Sequence, residues 1–210
     1  MKIICCLLLL LGSIYLVEAF SASGHDAIAT SYCFVALACL LMFVLAVDHA
    51  VSRLPDAIIR RAMRTPYTHL QGYMERFWFI RIGQRGGGQS GYYPLIGARV
   101  HHILRSDDDR HFHDHPWPYL TIILRGGYWE VRPIFTNGQP TGEQREWHGP
   151  GRILLRRAGS WYRLELPAGK TAWTLFCTGP KVQPWGFLVG DRKVYWRDYL
   201  GVPAGVGVED

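Results

Sequence analysis

The sequence predicts an all-β sandwich or barrel over residues 73–200, carried behind an apolar helical segment at the N-terminus. Three observations predict it. Residues 1–50 hold only Lys2, Glu18, Asp26 and Asp48 as charges, and the arginines follow Val51. From Tyr73 onward, short runs rich in aromatic and β-branched residues alternate with Gly, Pro and Asn turns. The aromatic content is high, with 8 Trp, 11 Tyr and 9 Phe in 210 residues, which suits a core enclosed by many short strands. The resulting organisation is a membrane anchor over 1–52, a basic juxtamembrane linker over 53–72, the β domain over 73–200 and a flexible tail over 201–210.

Two apolar runs make up the anchor. Residues 27–47 carry no charge and are long enough to cross a hydrocarbon core of about 30 Å. Arg53, Arg60, Arg61 and Arg64 follow closely, and a basic cluster at a helix end stays in the cytoplasm. Residues 3–17 are shorter and leave two readings open: a first span paired with the second as a hairpin, or a cleavable signal ending at Val17-Glu18-Ala19. Both place the β domain on the cytoplasmic face of the inner membrane, with lipid contacted through residues 3–47. Residues 55–64 read either as a surface helix with Ile58, Ile59 and Met63 toward lipid, or as a plain linker.

Within the β domain, strands are expected near 77–82, 98–104, 119–124, 128–133, 152–156, 162–166 and 173–177, and around Phe187 and Tyr195. Gly126-Gly127 reads as a tight hairpin turn and residues 136–140 as a loop tip. Residues 86–91 form a Gly-rich loop without the Lys and the strand–helix setting of a phosphate-binding loop. Helix is expected only at the membrane end and in a short piece near the C-terminus.

Charge and cysteine usage narrow the function classes. The formal net charge of +6 resides in the arginine-rich part, where it sets membrane topology; no nucleic-acid motif accompanies it, so no nucleic-acid partner is expected. Cys5, Cys6, Cys33 and Cys39 lie in the apolar part and Cys177 alone in the β domain, with no zinc-knuckle or disulfide spacing. Cys177 has no evident base partner for a thiol nucleophile.

The stretch with chemical content runs from Asp107 to Pro118 and reads DDDRHFHDHPWP. In a strand, residues two apart share a face, so His111, His113 and His115 would line one side and Asp114 the other. Imidazole is a ligand for zinc, copper, nickel and non-haem iron, and alternating histidines facing the interior of a barrel form half of such a site. Asp107 to Asp109 read as a solvated turn, or as carboxylates that orient a histidine from behind.

His113-Asp114-His115-Pro116-Trp117 followed by Leu124-Arg125-Gly126-Gly127-Tyr128 resembles the first motif of the cupin superfamily. That resemblance implies a cupin-type double-stranded β-helix, a jelly-roll sandwich or barrel, with the His113/His115 pair facing inward. Tyr119 falls where the motif has a Glu ligand, and Tyr162 falls near the place of the third His in the second motif, so two of the usual ligands are replaced. Residues 73–200 also resemble cupin-like proteins of bacteria and their phages through the His-Asp-His-Pro-Trp box, Thr178-Gly179-Pro180, Trp185-Gly186-Phe187 and Trp196-Arg197-Asp198-Tyr199.

The resemblance implies a divalent metal (Fe, Mn, Ni or Zn) held by His113 and His115, with His111, His148, His102 or Tyr162 completing the set. Tyr119, Tyr162, Arg125 and Trp117 are the candidate substrate-binding residues. Arg99, Arg125 and Arg163 either line a pocket for an anionic ligand or pair with carboxylates on the outer face. Three functions stay open: a metal-dependent oxygenase or isomerase acting on a small molecule, a non-catalytic small-ligand-binding module, and a structural sandwich in a membrane-associated assembly. A homodimer is the oligomer common in the superfamily.

Overall fold

The computed structural model describes residues 27–85, 93–107 and 111–203, with side chains from residue 36 onward except at 84–85 and 93–95. The first apolar run, the Gly-rich loop over 86–91, Asp108, Asp109 and residues 204–210 lie outside the described residues. The chain divides into two units, Met1–Leu54 and Pro55–Asp210. The described part of the first is helical and belongs to α1 (Ala27–Ala62). Its Leu40, Met42, Phe43 and Leu45 are exposed, which suits a lipid environment. The stretch Ala36–Ala62 is apolar and long enough to cross a membrane.

The second unit starts with the last two turns of α1, which continue through Pro55. Ile59 and Ala62 are buried here against Phe77, Ala98, Val100, Leu124 and Leu175, and Ile58 packs beside them. The expectation that Ile58 and Ile59 face lipid is thereby corrected: their apolar stripe covers the outer face of a sheet. Burial of Ile59 stabilises that contact by about 2 kcal/mol. Met63, one residue past the helix, stays exposed.

Eleven strands follow among the described residues: β1 (Met74–Arg85), β2 (Tyr93–Ile103), β3 (Phe112–His113), β4 (Tyr119–Arg125), β5 (Tyr128–Thr136), β6 (Gln139–His148), β7 (Ile153–Arg156), β8 (Arg163–Glu165), β9 (Ala172–Thr178), β10 (Gly186–Val189) and β11 (Arg192–Tyr195), then a short α2 (Trp196–Leu200). One sheet has the order β1-β2-β9-β4-β7. The others are β11-β10-β3 and β6-β5-β8. A bridge between His113 and Tyr162 joins these two into one layer, the backbone N–H of each donating to the carbonyl of the other at 3.0 and 3.1 Å. The strands β2-β9-β4-β7 and β3-β8-β5-β6 are the two layers of a jelly roll. From β2 to β5 and again from β6 to β9, successive strands alternate between layers, so the domain is a double-stranded β-helix of the cupin type.

The alternation along β4 explains how the interior is filled. Tyr119, Thr121 and Ile123 are buried on the face between the layers. They join Ile103, Trp117, Tyr128, Leu154, Tyr162, Leu164 and Phe176 around the interior. Phe112, Val131 and Leu188 form a separate small cluster with Trp161.

Two turns differ from expectation. Gly126-Gly127 closes no hairpin, because β4 and β5 lie in different sheets. It is a corner where the chain changes layer, with Gly126 at φ 72° and no room for a β-carbon, which would lie 2.2 Å from Thr171 O. The hairpin turn proper is Asn137-Gly138, at φ 52° and 79°, joining β5 to β6. β6 itself, QPTGEQREWH, is a strand the apolar pattern does not predict. It is an edge strand, mostly exposed, and its pairing with β5 rather than burial holds it in place.

Candidate functional site

The His113–Tyr162 bridge sets the geometry of the site. Residues directly opposite on paired strands project to the same face, so both rings turn into the space between the layers, 4.6 Å apart. Asp114, one residue on, turns the other way and is almost fully buried. It accepts from the Gly186 N–H at 2.8 Å and from Gln183 Nε2 at 2.9 Å, and pairs with Lys193. Gln183 Nε2 also donates to His115 O at 3.0 Å. These bonds fix the short segment after β3, so that His115 returns to the same side as His113.

The side chains meet in a cavity of about 500 Å³, a size ordinary for small-molecule sites. His115 Nε2 and the Tyr162 hydroxyl are hydrogen-bonded at 2.7 Å. The Tyr119 ring lies beside that of Tyr162, their centroids 6.1 Å apart. The His115 ring stands edge-on to Tyr119 at 4.8 Å and perpendicular to His113 at 5.6 Å. Burial, followed by the nearby positive potential of His113, His101 and Arg99, holds the His115 imidazole well below its usual pKa. Burial likewise pushes the phenols of Tyr162, Tyr119 and Tyr128 above the usual tyrosine value. At neutral pH His115 and these three tyrosines are therefore uncharged hydrogen-bonding groups.

Two carboxylates adjoin it. Asp107 lines the cavity with its side chain buried, accepts from the Leu164 N–H at 2.6 Å and from the Tyr73 hydroxyl, and comes within 3.8 Å of His113 Nδ1. The solvated-turn expectation for Asp107 fails because β8 supplies a backbone donor from a distant part of the chain. Glu130 is buried in the wall, gripped by Arg156 Nε and Nη2 at 3.0 and 2.9 Å and bonded to His148 Nε2 at 3.0 Å.

Of the residues singled out from sequence, His113, His115, Trp117, Tyr119 and Tyr162 line the cavity together. His111 does not. The strand starts at Phe112, one residue too late to align it, and His111 Nδ1 bonds the Tyr199 hydroxyl at 2.9 Å instead. Arg125 lies at the exposed end of β4 and pairs with Asp56, away from the cavity. Arg163 forms a two-pronged pair with Glu143, both contacts at 2.7 Å. Of the three arginines considered for a pocket, Arg99 is in its wall. His102 stacks on Trp173 at 4.0 Å and bonds Glu75, outside the cavity, while His148 is fully buried behind Glu130. Arg76, His101, Glu130 and Arg156 are wall residues that sequence reasoning did not single out. Arg99 and His101, two apart in a strand, carried the available signal.

The imidazoles of His113 and His115 adjoin each other in this cavity. Among the described residues, no group of three or more His, Cys, Asp or Glu is arranged to hold a metal ion. His113 and His115 are two imidazoles where a catalytic zinc site uses three protein ligands. The places of the Glu and third His hold phenols whose pKa is raised, and His115 Nε2 is already bonded to one of them.

No family model matches the chain, and no curated protein matches it. Among solved structures it is similar to the hydroxypropylphosphonic acid epoxidase from S. wedmorenis, with 10% identity over 56% of this chain and 56% of that one and a TM-score of 0.40. It is also similar to the polyketide cyclase RemF from Streptomyces resistomycificus (12% identity, 62% and 80% covered, TM-score 0.40). A third is Peruvianin-I, a cysteine peptidase from Thevetia peruviana latex (14% identity, 64% and 78% covered, TM-score 0.41). The chain spans a little over half the length of the epoxidase. These likenesses are distant, and the fold assignment rests on the strand order.

Proposed function

We propose that the jelly-roll domain is a small-molecule-binding module, in which His115, Tyr119 and Tyr162 offer uncharged hydrogen-bonding groups, with His113 beside them, to a ligand held between aromatic walls. The observation that carries this is the His115–Tyr162 hydrogen bond of 2.7 Å, with the Tyr119 ring 4.8 Å from that of His115, in a cavity of about 500 Å³. An efficient general acid or base has a pKa near the working pH. Here burial moves imidazole and phenols away from it in opposite directions, which favours recognition over proton transfer. The helix would hold this module at a bilayer, with Arg53, Arg60, Arg61 and Arg64 retaining it on the cytoplasmic side.

The test is calorimetric titration of the full chain in detergent with benzamide, a neutral aromatic probe, against a detergent blank. Saturable binding that weakens at least tenfold in Tyr162→Phe is expected, since the variant removes the hydroxyl bonded to His115. Absence of binding to the wild-type protein would refute the pocket reading. A second reading, a divalent cation bridging His113 and His115, is favoured by their shared place on the wall. It requires stoichiometric iron, manganese, nickel or zinc in protein purified from supplemented cells, lost in the His113→Ala/His115→Ala double variant.

A further inference from the structure

We propose that the β1–β2 wall of the same cavity is an anion site, in which Arg76, Arg99, His101 and the indole N–H of Trp117 hold the carboxylate or phosphate monoester of an organic ligand whose apolar body lies along the aromatic walls. This rests on the small-molecule reading of the cavity and names the charge of what enters it. Arg76 and His101 are register partners across β1 and β2, and Arg99 shares the inward face of β2 with His101. All three are more than nine-tenths buried, as is Trp117. Fixed arginine planes suit carboxylate and phosphate oxygens.

The neighbours hold these groups in place. Arg99 lies over the rings of Trp78 and Trp117, at 4.9 and 5.3 Å, and Arg76 lies over Tyr67 at 4.7 Å while its Nε donates to Thr68 O at 2.6 Å. The Trp117 Nε1–H and His101 Nε2 are both buried with no hydrogen-bond partner among the described residues. Indole N–H is a donor only, so what completes it is an acceptor. The cavity wall as a whole carries four arginines and two carboxylates, and Glu130 is already committed to Arg156 and His148. The positive potential of Arg99 and Arg76, added to burial, keeps the His101 imidazole from protonating. An anion entering beside it meets the field those arginines create.

The experiment compares benzoate and phenyl phosphate with benzamide, by calorimetry on the full chain in detergent at pH 7. Benzoate or phenyl phosphate is expected to bind at least tenfold tighter than benzamide, and Arg99→Gln to weaken the two anions at least tenfold more than it weakens benzamide. The wild-type comparison needs no variant, so it decides the matter even where Arg99→Gln fails to fold. Equal affinity for benzoate, phenyl phosphate and benzamide would overturn the anion site and leave the pocket standing. An anion preference that survives both Arg99→Gln and Arg76→Gln would also overturn it. If none of the three probes binds, the anion site falls together with the pocket reading.

Discussion

Replacing Asp114 by alanine removes an acceptor that ties the 183–186 segment and strand β11 to the segment carrying His115. The carboxylate is 1% exposed and holds the Gly186 N–H, Gln183 Nε2 and Lys193 Nζ. Breaking a buried charge pair by removing one partner costs about 3–5 kcal/mol. Lys193 is about a third exposed, so its stranded ammonium can turn to water and the lower end applies, about 3 kcal/mol. At about 2–4 °C per kcal/mol for a domain of this size, the melting temperature should fall by about 6–12 °C. Asp114→Asn keeps a carbonyl oxygen for the Gly186 N–H but sets an NH2 group against Gln183 Nε2 and Lys193 Nζ, both of which donate to the other oxygen, so a fall close to that of the alanine variant is expected. The assay is thermal unfolding of the full chain at pH 7, followed by near-ultraviolet circular dichroism, which reports the packing of Trp185 and Trp196 (stacked rings 5.5 Å apart) behind this segment. Shifts below about 2 °C for both variants would refute the reasoning, because the three bonds would then contribute almost nothing.

Two further predictions use other parts of the fold. His101 and His115 both have folded-state pKa values lowered by burial first and neighbouring positive charge second, so the unfolded chain takes up protons before the native one does. Stability is then fully present above about pH 6.5 and falls as the pH drops from there toward the folded values, by up to about 1.4 kcal/mol per pH unit for each histidine. Urea midpoints at pH 7.5, 6.5 and 5.5 measure this; a midpoint that holds steady or rises at pH 5.5 contradicts it. Gly126→Ala should destabilise far more than Gly138→Ala, although both glycines have positive φ. A β-carbon at 138 meets nothing within 4 Å and costs about 1–2 kcal/mol of backbone strain, whereas at 126 it would sit 2.2 Å from Thr171 O and force the layer-changing corner apart. Comparable urea midpoints for the two variants would count against that account.

Strands that bury one face were legible in the sequence because alternating aromatic and β-branched residues record that burial directly, as in 119–124 and 173–177. β6 was not, because an exposed edge strand is held by its partner's backbone and leaves no apolar record. Gly126-Gly127 announced a turn, but whether a turn joins neighbours in one sheet or passes between layers depends on which strands later pair, and those lie tens of residues away. His113 and His115 were legible as a pair because Asp114 separates them by one position. His111 shared that spacing and missed the site, since the strand begins only at Phe112.

The sequence by itself determined an apolar N-terminal helix, a β domain behind it, and a pair of histidines sharing one strand face. Local patterns suffice for these, because burial and strand spacing act over a few residues. Only the tertiary structure decided what the histidines meet. The pairing of β3 with β8 brings Tyr162 to His115, and the pairing of β1 with β2 sets Arg76 against His101, from positions 47 and 25 residues apart in the chain. Partnerships of that kind are fixed by backbone hydrogen bonds between distant strands, and no short stretch of side chains encodes them.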